Sequence, residues 1–275
     1  MTSPNVSVIV PVFNSERFLG EALGSLRLEQ DIELNIIVVD DGSTDASLEI
    51  IKTLAQKDPR IQLIAGKHRG ISAARNVGVR AASSDYITFL DSDDICPPGR
   101  IARQLRRLRS HPDAVAIIGE SLWFETLTPD LEPVVGTRHL RMICVHLHSA
   151  LFVSSVFDNF GHFDETLEFA EDLDFFLRLL EADAKILVED EIASLYRRHE
   201  NNSTRSFSHT RHATMASFHR SIARRRKAGN NKPLPSILAR RLEGENIFSS
   251  TAGDAPAPRA GQCAAPGPWQ NPIAP

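Results

Sequence analysis

The chain has 275 residues, 42% of them apolar, enough to bury one large core or two small ones. Its net charge of −4 hides a split: residues 1–196 carry 18 Lys and Arg against 31 Asp and Glu, whereas residues 197–275 carry 13 against 4. An acidic body argues against a nucleic-acid partner, and no apolar run approaches the roughly 20 residues of a membrane helix. Cys96, Cys144 and Cys263 show no metal-ligand spacing, so reduced thiols in a cytosolic protein are expected. Met1 to Asn5 lead straight into an apolar segment, and no signal peptide is expected.

Val6 to Val12 is β-branched and reads as a buried parallel strand. Phe13-Asn14-Ser15 then turns into a helix with Phe18, Leu19, Ala22, Leu23 and Leu26 at helical spacing. Leu34 to Asp40 is a second strand, running into Asp41-Gly42-Ser43-Thr44-Asp45 and a helix lined by Leu48, Ile51 and Leu54. Ile61 to Ile64 is a short third strand, 70–82 a helix, and 85–90 the fourth and central strand. This βαβαβαβ alternation predicts a mostly parallel α/β sheet. In such sheets ligands sit outside the carboxyl ends of the strands. Three strands end in candidate ligand residues: Pro11 to Asn14, Asp40 with Asp41, and Asp91 with Asp93.

The later chain is less regular. Residues 100–109 form a helix with a basic face and Ile101, Leu105 and Leu108 inward, and 114–119 another strand. Residues 120–150 carry weak patterns. There His146 and His148 read as packing or solvent-facing residues, with metal binding as the competing possibility. Glu171-Asp172-Leu173-Asp174 opens a helix whose apolar face is Leu173, Phe176, Leu177 and Leu180. Two acids in a first turn are ordinary helix-dipole chemistry; facing a pocket, one of them would serve as a base. Residues 184–188 and 193–197 read as two strands. Residues 207–228 read as a basic helix with Met215, Phe218 and Ile222 on one side. A plain packing helix and contact with an anionic membrane are both open for it. The Ala/Pro/Gly-rich stretch 229–275 is expected to be a disordered tail.

Four motifs occur in order: Val8-Ile9-Val10-Pro11-Val12-Phe13-Asn14, Val38-Val39-Asp40-Asp41-Gly42-Ser43, Gly70-Ile71-Ser72-Ala73-Ala74-Arg75-Asn76 and Phe89-Leu90-Asp91-Ser92-Asp93-Asp94. With Gly161 to Glu165 and Glu171-Asp172, the set resembles the inverting family 2 glycosyltransferases over roughly residues 5–203. The resemblance implies a GT-A fold with a nucleotide-sugar-binding half (1–95) and an acceptor-binding, catalytic half (96–205), followed by the basic helix (206–228) and the tail. It further implies a nucleotide-diphosphate sugar donor, UDP-linked by preference, a Mn²⁺ or Mg²⁺ ion, and a saccharide or lipid-linked saccharide acceptor. Pro11 and Phe13 would line the nucleoside pocket, Asp41 would bond the base, and Arg75 would reach base or diphosphate. Asp93 would hold the metal, Asp91 would contact ribose or metal, and His199 would contact metal or diphosphate. Asp172 matches the general base. The implied enzyme adds one sugar during glycan or cell-envelope polysaccharide synthesis, in the cytoplasm or at the inner face of the membrane. His162 stands where relatives carry a small residue, and the Gln-x-x-Arg-Trp motif of processive synthases is missing. A nucleotide-sugar binder without transfer, a sugar nucleotidyltransferase and a phosphoacceptor receiver module are the competing readings.

Overall fold

A computed structural model describes residues 6–29, 31–200, 202 and 207–233. Most of the stretch read as a tail, 234–275, lies outside the described residues. The first half alternates as its sequence predicts: β1 (Val6–Val12), α1 (Leu19–Leu26), β2 (Leu34–Asp40), α2 (Ser47–Lys57), β3 (Ile61–Ala65), α3 (Ile71–Ala81) and β4 (Tyr86–Phe89). These strands stand side by side in the order β3-β2-β1-β4, all parallel.

α4 (Arg100–Arg109), β5 (Ala114–Phe124), β6 (His139–Ile143), β7 (Ala150–Val153), α5 (Ser155–Phe160), α6 (Glu171–Glu181), β8 (Lys185–Arg197) and α7 (Phe207–Lys227) complete the chain. β7 joins β4 and β5 antiparallel, and β5 also pairs with β6 antiparallel and β8 parallel. The result is a mixed sheet, parallel through β3-β2-β1-β4, with helices on both faces.

Alternation along β1 assigns the two cores. Val6, Val8, Val10 and Val12 pack with Leu19, Leu23, Leu26, Ile101 and Leu105 on one face. Ile9 turns to the other face, where Phe89, Phe152, Phe157, Phe175 and Phe176 form an aromatic core. A strand buried on both sides must be apolar throughout, which is why these segments read so clearly.

Three local expectations need correction. The stretches 184–188 and 193–197 are one strand, β8, carried through its acidic middle by irregular register with β5. Gly119 makes room for this, since a Cβ there would lie 2.6 Å from the Ala193 Cβ and 2.8 Å from the Glu191 carbonyl oxygen. Glu189 is buried and answered by Arg103 at 3.2 Å. Arg100 does not sit on an exposed basic face: it is fully buried, donating to Thr88 Oγ1 at 2.8 Å and Gln104 Oε1 at 3.2 Å. α7 follows the expected polarity only in part: Phe218 packs against the aromatic core as expected, but its two apolar companions do not. Met215 and Ile222 are exposed, Ser217 and Ser221 are buried, and Arg224 pairs with Asp174 and Glu181 at 2.8 Å. Two acids on the body thus draw part of the basic side inward. No helix among the described residues is long and apolar enough to cross a membrane.

Candidate active site

The carboxyl ends of β1 and β2 are laced together by the side chains of their own turns. Asn14 Oδ1 accepts the Thr44 backbone N–H at 2.8 Å, and Ser47 Oγ accepts the Ser15 backbone N–H at 2.8 Å. Short polar side chains that bond backbone favour such turns over continued strand. Beyond them Phe13, 43% exposed, stacks on His68 with ring centroids 4.0 Å apart. Asp41 is nearly buried. It accepts the backbone N–H groups of Arg69 at 2.9 Å and Gly70 at 2.8 Å, and lies 2.9 Å from His68 Nδ1. The aspartate therefore also fixes the loop that opens α3.

After β4 the chain makes the turn Asp91-Ser92-Asp93-Asp94, closed by the Asp94 N–H donating to the Asp91 carbonyl at 3.1 Å. Asp91 accepts Arg75 Nη2 at 2.7 Å. Burial opposes ionisation of Asp91, but the Arg75 charge and the bond to His148 outweigh it and hold the carboxyl well below the usual range. His148, almost fully buried, places Nδ1 2.9 Å from Asp94 and 3.4 Å from Asp91. Burial works against its charge too, yet the two carboxylates raise the imidazole to about 9. Asp93 points Oδ2 at His199 Nε2, 2.9 Å away, and at Asn202 Nδ2, 3.4 Å away.

Opposite this turn, Ala170 takes a left-handed conformation (φ 59°) and starts α6 so that Glu171 and Asp172 stand in its first turn. Glu171 is buried and bonded by Arg75 Nη1. Burial pushes the Glu171 carboxyl up to about 7, with the Arg75 charge opposing it. Asp172 is only partly buried, and its Oδ1 accepts the Leu173 N–H at 2.6 Å.

Pro11, Phe13, Asp41, Arg75, Asp91, Asp93, Asp172 and His199 all line one cavity of about 920 Å³. Every site residue chosen from the sequence is thus brought to one place. The structure adds others. Glu171 shares Arg75 with Asp91, and His68, Trp123, His146 and Tyr196 complete the walls. Trp123 and Tyr196 face each other across the β5–β8 pair, with ring centroids 4.8 Å apart. The sequence shows His148 only as half of a His-x-His pair; in the fold it is buried, and its Nδ1 lies beside the acidic turn.

Among the described residues, Asp91, Asp94 and His148 bring three potential metal-ligand atoms within 4.8 Å of one another. Of these three, His148 and Asp94 are buried and already lie 2.9 Å apart. The donor set that suits a hard divalent ion is Asp93 with Asp91: carboxylates in the cavity wall, a quarter exposed, with His199 beside them.

Residues 7–127 match the family model described as glycosyl transferase family 2. Over that span the chain is similar to the family 2 glycosyltransferases. An uncharacterized glycosyltransferase of Bacillus subtilis, EpsJ, is 30% identical over 219 residues, covering 73% of this chain and 63% of that one. The first curated relatives are matched over only 45% to 63% of their own length. Among solved structures, Staphylococcus aureus TarS 1–349 in complex with UDP-GlcNAc superposes with TM-score 0.64 at 23% identity, over 90% of this chain and 74% of that one. A mannosyltransferase from Pyrobaculum calidifontis, in complex with GDP-Man and Mn²⁺, gives 0.66 at 17% identity, over 90% and 70%. Both likenesses concern the fold, and the chain shares their GT-A architecture.

Proposed function

We propose that this protein is a family 2 glycosyltransferase that moves one sugar from a nucleotide-diphosphate sugar, UDP-linked, to an acceptor hydroxyl with inversion at the anomeric carbon. The observation carrying this reading is the single cavity that holds the ends of β1 and β2, the acidic turn after β4 and the first turn of α6. Phe13, Pro11 and Asp41 receive the nucleoside. Arg75 holds Asp91 in place at the ribose and diphosphate. Asp93, with Asp91 and His199, would hold a Mn²⁺ or Mg²⁺ ion, which when bound supplies charge neutralisation at the diphosphate. Asp172 accepts the proton of the acceptor hydroxyl. The acceptor oxygen then forms the new glycosidic bond while the diphosphate oxygen leaves with the electron pair of the old one.

Support for a nucleotide-sugar donor and a metal comes from the two GT-A neighbours, one held with UDP-GlcNAc and the other with GDP-Man and Mn²⁺. The acceptor is a saccharide or a lipid-linked saccharide in glycan or cell-envelope synthesis, and the enzyme works in the cytoplasm. Membrane contact through α7 enters in a narrower form, carried by the exposed Arg211, Met215, Ile222, Arg226 and Lys227.

Calorimetry of UDP, GDP and dTDP, each with and without Mn²⁺, on the wild type and on Asp93→Ala tests the reading. Mn²⁺-dependent UDP binding lost in the variant is expected. Preference for GDP or dTDP would overturn the uridine assignment, and no diphosphate binding would overturn the activity.

A further inference from the structure

His148 is a buried histidine that the reaction as described does not use, yet its Nδ1 faces the acidic turn. It lies in a single 3₁₀ turn, Leu147–Ser149, just before β7. Nδ1 stands 2.9 Å from Asp94 Oδ2 and 3.4 Å from Asp91 Oδ2. Nε2 and Asp94 Oδ2 are both buried with no hydrogen-bond partner among the described residues, so Nδ1 meets the two carboxylates as an ion-pair contact rather than through a well-directed N–H bond. The far oxygens of the same two carboxylates are also taken: Arg75 donates to Asp91 Oδ1 at 2.7 Å, and the Arg197 backbone N–H to Asp94 Oδ1 at 2.9 Å. Asp91 and Asp94 each have one oxygen held by a hydrogen bond and the other close to His148, while Asp91 and Asp93 keep 25% and 28% of their side chains exposed to the cavity. An apolar side chain would fill the same volume without desolvating an imidazole and leaving Nε2 unpaired. The position thus asks for a donor at Nδ1 rather than for bulk.

We propose that His148 is a positioning residue for the cation-binding turn. By bridging Asp91 and Asp94 it fixes the turn between them, so that Asp91 and Asp93 present their carboxylates together. This role rests on the donor site proposed above. It makes His148 an outer partner of the ligands, and such partners typically influence metal affinity by 10- to 100-fold.

The test uses three variants of the full chain. His148→Phe keeps a ring and removes the donor. His148→Asn puts an amide N–H where Nδ1 stands, and His148→Gln puts one near the Nε2 position instead. Mn²⁺ affinity in the presence of UDP is read from the spin-resonance signal of free Mn²⁺, and metal-free UDP affinity by calorimetry. The expected result is 10- to 100-fold weaker Mn²⁺ binding for the Phe and Gln variants, recovery to within a few-fold for Asn, and unchanged metal-free UDP binding throughout. Wild-type Mn²⁺ affinity in the Phe or Gln variant would overturn the role, as would equal losses in Asn and Gln. Should the Phe variant fail to fold, the Asn–Gln contrast still decides. Wild-type protein that binds UDP with no help from Mn²⁺ would overturn the donor-site reading itself, and this role with it.

Discussion

Nε2 of His199 lies 2.9 Å from Oδ2 of Asp93, joining the chain just after β8 to the turn after β4 across 106 positions of sequence. The contact draws the segment following β8 over the cavity, where Asn202 adds a second bond to the same oxygen at 3.4 Å. If Asp93 is the principal cation ligand, the two residues should matter unequally. Asp93→Ala is expected to abolish Mn²⁺-dependent UDP binding. His199→Ala should weaken it by about 10- to 100-fold, the range for partners that orient a ligand. Parallel calorimetric titrations check the ranking, and equal effects would contradict it.

At the start of α6 Asp172 has no cationic side-chain partner among the described residues, in contrast to the neighbouring Glu171. Replacing it with Asn preserves shape and removes the proton acceptor. Turnover should fall by about 10² to 10⁴, the usual worth of a positioned base, with donor affinity unchanged. Single-turnover transfer measured beside UDP calorimetry separates the two quantities. A variant that loses nucleotide binding would show that Asp172 does something else.

Arg75 holds two carboxylates that arrive from different halves of the chain, Asp91 after β4 and Glu171 on α6, and both Arg75 and Glu171 are buried. Arg75→Leu leaves Glu171 without its counter-charge. A loss of about 3–5 kcal/mol in unfolding free energy is expected, the range for breaking a buried pair from one side. Removing Glu171 as well, as Leu, should cost less than the sum of the single changes. Urea denaturation of the four proteins measures the difference.

Away from the cavity, Asp58 and Arg60 form a two-pronged pair, with Nη2 to Oδ2 at 2.8 Å and Nε to Oδ1 at 3.0 Å. The Arg60 hydrogen bond, against the opposing effect of burial, lowers the Asp58 carboxyl below its ordinary 3.8. The native state therefore binds fewer protons than the unfolded chain in the interval between the two values. Stability from this pair is complete above the unfolded value and is lost as pH falls through the folded one. Urea midpoints at about pH 6 and about pH 3 should differ less in Asp58→Asn than in wild type.

Gly78 marks the place where α3 meets β1. A Cβ added there would stand 2.4 Å from Ile9 Cγ2, at the edge of the aromatic core. Gly78→Ala should therefore destabilise by about 1–3 kcal/mol through overpacking, although alanine is the better helix former. Combining it with Ile9→Ala, which removes both clashing Cγ atoms, should cost less than the sum of the two single changes in thermal unfolding.

Much of this protein is legible in its residues because the information is local. Val6–Val12 and Leu34–Asp40 are buried on both faces, so their apolar runs announce parallel strands without any partner in view. The turns that follow carry their own chemistry, and a parallel sheet with right-handed crossovers delivers those turns to one edge. Hence Pro11, Phe13, Asp41, Asp91 and Asp93 could be grouped from sequence. The second half depends on contacts that no short window contains. β8 is a single strand only because Gly119 leaves room for its irregular middle and Arg103 answers Glu189. Arg100 looks like a surface cation until Thr88 and Gln104 surround it. His148 looks like a packing residue until Asp91 and Asp94, more than fifty positions earlier, stand within reach of Nδ1. Periodicity is set by each residue's own backbone and burial, so the sequence alone determined the sheet and its ligand-bearing ends. Only tertiary structure decided which buried charges meet, because the energy of a buried ion depends on partners brought to it from distant segments.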